Sequence, residues 1–162
     1  MREVTVDDFD AVIALRVADE QADFLYTNVE SLAWAYVAPE CHPLAIYASG
    51  VPVGFASYAY VPADGRCWIV HLMVDERHQR RGIGRAALER LLERMGTVSG
   101  GASIAVTVHP ENVAAINLYE AFGFTDTGQR QNGEVILRRA RTQPPTTPGA
   151  LSVNETPPGG RD

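Results

Sequence analysis

One octet, Gln79-Arg80-Arg81-Gly82-Ile83-Gly84-Arg85-Ala86, constrains the fold of this chain more than any other stretch. It follows an apolar run, Trp68 to Val74, that reads as a strand. It opens a segment whose apolar residues Ile83, Ala87, Leu88, Leu91, Leu92 and Met95 recur at helical spacing. A strand, a turn with glycines two apart and a helix N-terminus together make an anion cradle. Glycine lets the backbone come close to a ligand, the first-turn N–H groups are unpaired, and the helix dipole favours negative charge there. The octet therefore predicts a grip on a phosphate-bearing ligand.

Three phosphate grips compete. A P-loop requires G-x-x-x-x-G-K-[ST], and none of the 162 residues is lysine. A dinucleotide fingerprint requires G-x-G-x-x-G in a βαβ unit; Gly82, Gly84 and Ala87 have the spacing but not the context. The third is Q-x-x-G-x-G/A after a strand, which Gln79, Gly82 and Gly84 fit. The octet thus resembles the pyrophosphate loop of the GNAT acyltransferases, which bind acyl-CoA. A second segment, Asn112-Val-Ala-Ala-Ile-Asn-Leu118-Tyr119-Glu-Ala-Phe-Gly123-Phe124, resembles the family pattern N-x-x-A-x-x-L-Y-x-x-x-G-F and follows in the family's order. Its physics is legible without the resemblance. Pro110 suits a first helical turn, and Gly123 a helix end. Asn112, Ala115, Ile116 and Tyr119 share one helical stripe, with Tyr119 roughly 10 Å along the axis from Asn112. One ligand can meet both.

Residues 1–140 read as a single GNAT domain, long enough to bury a core. Residues 141–162 carry five prolines among glycines and threonines and read as a disordered tail. Cys41 and Cys67 show no C-x-x-C pairing, so neither a disulfide framework nor a zinc site is indicated. Cys41-His42 reads as a surface or strand-edge pair, and no metal is expected. There is no signal-peptide pattern and no apolar run long enough to span a bilayer, which predicts a cytoplasmic protein. Neither a membrane nor a nucleic acid is expected as a partner; a homodimer is allowed.

A pass along the chain gives a strand at Glu3–Val6, then a helix capped by Asp7 or Asp8 that carries Phe9, Val12, Ile13 and Arg16. A second helix is expected from about Glu20 to Val37, with Leu25, Val29, Leu32 and Tyr36 on one face. Strands follow at Leu44–Ala48, Val53–Tyr60 and Cys67–Val74, with turns at Ser49-Gly50 and Pro62–Gly65. Next come a helix over 83–96, a break at Ser99–Gly101, a strand at Ser103–Val108 and a helix over 111–122. Strands Phe124–Gln129 and Glu134–Arg138 flank Asn132-Gly133, a type I′ hairpin signal. This order resembles the GNAT fold, an α/β (α+β) arrangement of a mixed, mostly antiparallel sheet with helices on both faces.

The resemblance implies that the fourth and fifth strands splay apart to admit the pantetheine of acetyl-CoA, and that the backbone of Leu72, Met73 and Val74 pairs with it. It assigns Gln79, Arg80, Arg81, Gly82, Ile83, Gly84 and Arg85 to the pyrophosphate, and Asn112 and Tyr119 to the same co-substrate. Direct acyl transfer needs a neutral amine and a proton for the leaving thiolate. A thiol ionises near pH 8.5 and a tyrosine near pH 10, so a tyrosine beside the sulfur is protonated and can donate. Tyr119 is the candidate general acid. The fourth strand carries no carboxylate; His71 is the candidate base by its ordinary pKa, and Glu30 is a second.

Charge separates along the chain. Residues 1–40 hold nine acidic side chains against Arg2 and Arg16, a net of about −7, whereas residues 76–94 carry about +3. The basic stretch suits the CoA phosphates. In GNAT folds the first two helices wall the acceptor side, so carboxylates such as Glu20, Asp23 and Glu30 suit a cationic amine. The order of Asn28, Ser31-Leu32-Ala33, Tyr36, Pro39-Glu40, Pro43 to Tyr47, Trp68 and Asp75-Glu76-Arg77 also resembles bacterial spermine/spermidine N-acetyltransferases. Those commonly read W-[IL]-D-R where this chain has Trp68-Ile69-Val70-His71. The expected reaction is acetylation of a primary amine such as spermidine or spermine. The alternatives are a protein N-terminus, an antibiotic amine, or CoA sensing without turnover.

Overall fold

The computed structural model describes residues 1–61, 65–100 and 103–140. The tail at 141–162, most of the Pro62–Gly65 turn and the end of the Ser99–Gly101 break lie outside the described residues. Seven strands form one sheet: β1 (Arg2–Glu3), β2 (Cys41–Ala48), β3 (Val51–Val61), β4 (Arg66–Val74), β5 (Ser103–Val108), β6 (Thr125–Gln131) and β7 (Glu134–Arg139). Their spatial order is β1-β2-β3-β4-β5-β7-β6. Every pairing is antiparallel except β4 with β5. Helices α1 (Phe9–Ala14) and α2 (Asn28–Val37) belong to the stretch before the meander; α3 (Ile83–Ser99) and α4 (Val113–Glu120) flank β5 in the chain. No helix of the described residues is long and apolar enough to cross a membrane.

Alternation along the strands sends side chains to two faces. One face packs Leu44, Ile46, Tyr58, Cys67 and Ile69 against Leu88, Leu91 and Met95 of α3 and Tyr119 of α4. The other packs Ala45, Phe55 and Met73 against Val12 and Leu15. The sheet is thus covered on both faces, as the sequence predicts. Both Asn132 and Gly133 have positive φ, at 50° and 87°, which is the type I′ geometry. Gly54 is required for another reason: a Cβ there would lie 2.5 Å from the Met73 carbonyl oxygen, so only glycine lets β3 approach the end of β4.

Several expectations need correction. The long second helix is two elements, a 3₁₀ turn over Asp19–Phe24 and α2 from Asn28. Thr27 breaks them apart by a capping box: its hydroxyl accepts from the Glu30 N–H, and the Glu30 carboxylate accepts from the Thr27 N–H. The T-x-x-E spacing was the available signal. The buried face of α2 is also different. Asn28 and Ser31 are buried, whereas Val29 and Tyr36 face solvent. Asp8 stands at the N-cap of α1, yet its carboxylate accepts instead from Arg2, Tyr47 and Thr5. β1 is two residues long, and α3 runs on to Ser99 because Gly96 is tolerated inside it and Gly100 supplies the left-handed cap. Cys41 and Cys67 are both buried, so Cys41 is not a surface residue.

Candidate active site

The β4–α3 turn has the cradle geometry that its glycines predict. Gly82 is the N-cap of α3 with φ +77°, and Arg80 two residues earlier has φ +58°. The first helical bond runs from Ala86 N to Gly82 O. The N–H groups of Ile83, Gly84 and Arg85 therefore have no intrahelical partner and point out of the helix end. Arg80, Arg81 and Arg85 are exposed around it. This donor set fits a pyrophosphate. Gln79 has another duty: its amide donates to the Val74 carbonyl (2.9 Å) and to the Gln21 side chain (2.7 Å), tying the loop to β4 and to the 3₁₀ turn. Asp75, fully buried, accepts from the Arg77 side chain, Arg77 N and Arg16 N. Those bonds, that of the Arg77 guanidinium above all, hold its carboxyl at about 2.

The cradle leads into a gap in the sheet. β4 and β5 pair only from Arg66↔Ser103 to Ile69↔Val106. Beyond Ile69, β4 pairs with β3 alone. Alternate peptide groups of residues 70–74 therefore face the opening, an edge where an extended chain can add. The same point holds a β-bulge. Ser57 pairs with His71 and Tyr58 with Ile69, so Val70 is the extra residue. A bulge shifts the alternation. Ile69 faces α3, while His71 and Met73 face the α1–α2 side with Phe55. Leu72 packs towards α3. His71 is thus opposite Leu72, while Val70 belongs to the bulge.

On the α1–α2 side lies a cavity of about 240 Å³, lined by Leu15, Arg16, Val17, Asp19, Ala22, Leu25, Tyr26, Thr27, Asn28, His71, Met73 and Glu76. Its carboxylates are Asp19 and Glu76; Glu20, Asp23 and Glu30, the residues suggested by the charge run, do not line it. Glu30 is engaged by Thr27, whose hydrogen bonds lower its pKa, so it is a poor base. Reading the Asp75-Glu76-Arg77 segment as a turn beside the strand end would have drawn attention to Glu76. His71 is buried, with Nδ1 2.7 Å from Ser31 Oγ and its ring edge-on to Phe55. Burial pushes its pKa down to about 4, so the imidazole is neutral at neutral pH and a weak base.

Tyr119 lies across the sheet, buried beside Phe124 in the core under α3. Burial raises its pKa, which keeps the phenol protonated, and its hydroxyl makes no hydrogen bond among the described residues. Asn112 caps α4, its carbonyl oxygen accepting from Ala115 N (3.1 Å). That leaves its amide NH₂ as the group a ligand can meet. No cluster of metal-ligating side chains occurs among the described residues.

Gly82 supplies a test of why the cradle works. No heavy atom lies within 4 Å of a Cβ built there, so the demand on the residue is its left-handed backbone. Valine is strained in that region and asparagine tolerates it. Gly82→Val is expected to weaken acetyl-CoA binding about tenfold or more, and Gly82→Asn only a few-fold. Calorimetry in which both bind as the parent would remove the cradle; equal damage from both would make direct crowding of the ligand the cause.

Known proteins match this chain in sequence and in fold. The acetyltransferase (GNAT) family matches residues 9–124. The spermine/spermidine N(1)-acetyltransferase of Bacillus subtilis is 31% identical over 147 residues, 85% of this chain and 95% of that protein. Among solved structures, aminoglycoside acetyltransferase AAC(6')-Ib in complex with coenzyme A superimposes with a TM-score of 0.73 at 18% identity, covering 86% of this chain and 93% of that one. The PaiA N-acetyltransferase of Thermoplasma acidophilum, also with coenzyme A, gives 0.66 at 14% identity, covering 87% and 97%.

Proposed function

The chain belongs to the GNAT acetyltransferase family, and from that premise we propose that it acetylates a polyamine such as spermidine or spermine. It is an acetyl-CoA-dependent N-acetyltransferase acting on an amine. The observation that carries the finer reading is the cavity beside β4, with Asp19 and Glu76 on its lining and the phosphate cradle at the end of the same strand. A polyamine has at least two ammonium groups. One can sit against Asp19 or Glu76 while the other loses its proton and enters towards His71. The guanidinium of Arg16, also on this wall, donates to the carbonyls of Ile13 and Leu15, so part of its charge is directed away. The named activity of the Bacillus subtilis relative supports the same acceptor class.

The roles of the chain's own groups follow. The N–H groups of Ile83, Gly84 and Arg85 and the exposed arginines hold the diphosphate. Peptide groups of Leu72, Met73 and Val74 at the sheet opening orient the thioester arm. Tyr119 gives its phenolic proton to the departing sulfur. His71 is neutral, so it does not repel an ammonium and does not take a proton readily. The amine proton leaves through water at the mouth of the cavity. We place this reaction in the cytoplasm, and take the domain to end at Ala140.

An amine panel tests the acceptor. Spermidine is expected to exceed propylamine in kcat/KM by about tenfold at low salt. The advantage should shrink as salt rises, since exposed charges are screened over about 8 Å at physiological ionic strength. Asp19→Asn with Glu76→Gln should remove most of it. Faster reaction of a peptide N-terminus or of an aminoglycoside at low salt would overturn the polyamine reading and leave the acetyltransferase standing.

A further inference from the structure

We propose that the outward face of α2 pairs with the same face of a second copy of this chain, as an antiparallel helix pair about a two-fold axis at Ala33.

α2 turns Asn28 and Ser31 into the molecule. Its other side carries Val29, Glu30, Ala33, Trp34, Tyr36 and Val37, all of them exposed. Positions 29, 33, 36 and 37 form one stripe, and Glu30 and Trp34 lie beside it. A surface helix of a globular protein ordinarily keeps its charged and polar residues on this side. Here Glu30 is the single charge. Tyr36 is 89% exposed, Val37 68%, Trp34 60% and Val29 51%. With about 150–250 Å² for a whole aromatic side chain and less for a valine, this leaves about 550 Å² of the face open. Contiguous apolar patches of that size mark interaction sites. Two such faces together cover about 1,100 Å², just above the roughly 1,000 Å² that a specific interface needs.

The order of residues along the stripe says what covers it. Two copies of α2 crossing antiparallel at Ala33 set Val29 against the partner's Val37. They set Tyr36 against the partner's Glu30. Symmetry makes each contact twice. Ala33 meets its own copy at the axis, and its small side chain lets the helices come close. Glu30 has an oxygen to spare for this contact. The Thr27 N–H and the Thr27 hydroxyl both donate to its Oε2, which leaves Oε1 to accept from a tyrosine hydroxyl. An unrelated partner would not require this mirror order about one alanine.

Sedimentation equilibrium on the full chain reads the pairing independently of activity. The expected mass is twice the 17.6 kDa of the chain. An interface of this modest size should hold at about 100 µM and dissociate on dilution towards about 1 µM. Ala33→Glu puts two carboxylates together at the axis and should be monomeric throughout. Glutamate is a strong helix former and the position is exposed, so circular dichroism should show the fold retained. Tyr36→Phe should raise the dimer Kd about fivefold, the worth of one hydrogen bond. Val29→Lys and Val37→Glu should each be monomeric alone and pair when mixed, since the introduced charges then face each other. A parent chain that is monomeric at about 100 µM would overturn the proposal, whatever else covers the face. A dimer that survives Ala33→Glu would overturn it too, by placing the interface elsewhere. A mixture of the two charge variants that stays monomeric would refute the antiparallel order.

Discussion

Replacing Tyr119 by phenylalanine should lower kcat roughly 100-fold, with acetyl-CoA affinity almost unchanged. General-acid groups contribute on that scale, about 10²–10⁴-fold. The side chain is buried in the core beside Phe124, so the change removes one oxygen and leaves the packing volume close to that of the parent. The hydroxyl makes no hydrogen bond among the described residues, so no internal partner is orphaned by its loss. A drop in kcat is therefore attributable to the missing proton donor and not to unfolding. Single-turnover mixing separates chemistry from product release. Near-normal turnover with chemistry rate-limiting would remove Tyr119 from the acid role.

Acid should destabilise the protein well before its carboxylates titrate, and His71 should be the cause. An unfolded histidine takes up a proton below about pH 6.5. In the fold, burial delays that uptake to about 4. The folded-state pKa is depressed, so the unfolded chain binds more protons between these values. Stability is then fully present above about pH 6.5 and is lost as pH falls towards 4, by about 3 kcal/mol. Urea melts from pH 7.5 to 4.5 would measure the slope. His71→Gln should flatten it over this window. A parent protein whose stability is level from pH 6.5 to 4.5 would contradict the desolvated imidazole beside the cavity.

The parts of the fold that could be read in the chain are those set by local chemistry. Gly82 announces a left-handed turn, and the apolar spacing from Ile83 to Met95 announces the helix after it. Asn132-Gly133 announces a hairpin. The parts that could not be read depend on tertiary contacts. Thr27 splits the second helix through its reciprocal bonds with Glu30, although the apolar periodicity runs on across it. Asn28 and Ser31 turn inward because Val12 O and His71 Nδ1 offer partners there, so α2 buries polar residues where periodicity favours Val29 and Tyr36. The bulge at Val70 appears in no composition or propensity. It nevertheless decides that His71 lines the cavity and does not lie under α3 with Ile69. The acidic run contributes Asp19 to the cavity lining, whereas Glu20, Asp23 and Glu30 do not line it. Glu76 reaches the cavity from the far end of β4, where Asp75 pins the turn through Arg16 and Arg77.

The most direct test of the account is a coupled measurement on the full chain with acetyl-CoA and spermidine, reading free thiol by absorbance and the amine by mass spectrometry. The account predicts one thiol released per N-acetylated amine, with turnover abolished when the amine is omitted. Tight coenzyme A binding, with neither thiol release nor acetylated product for any primary amine, would contradict it.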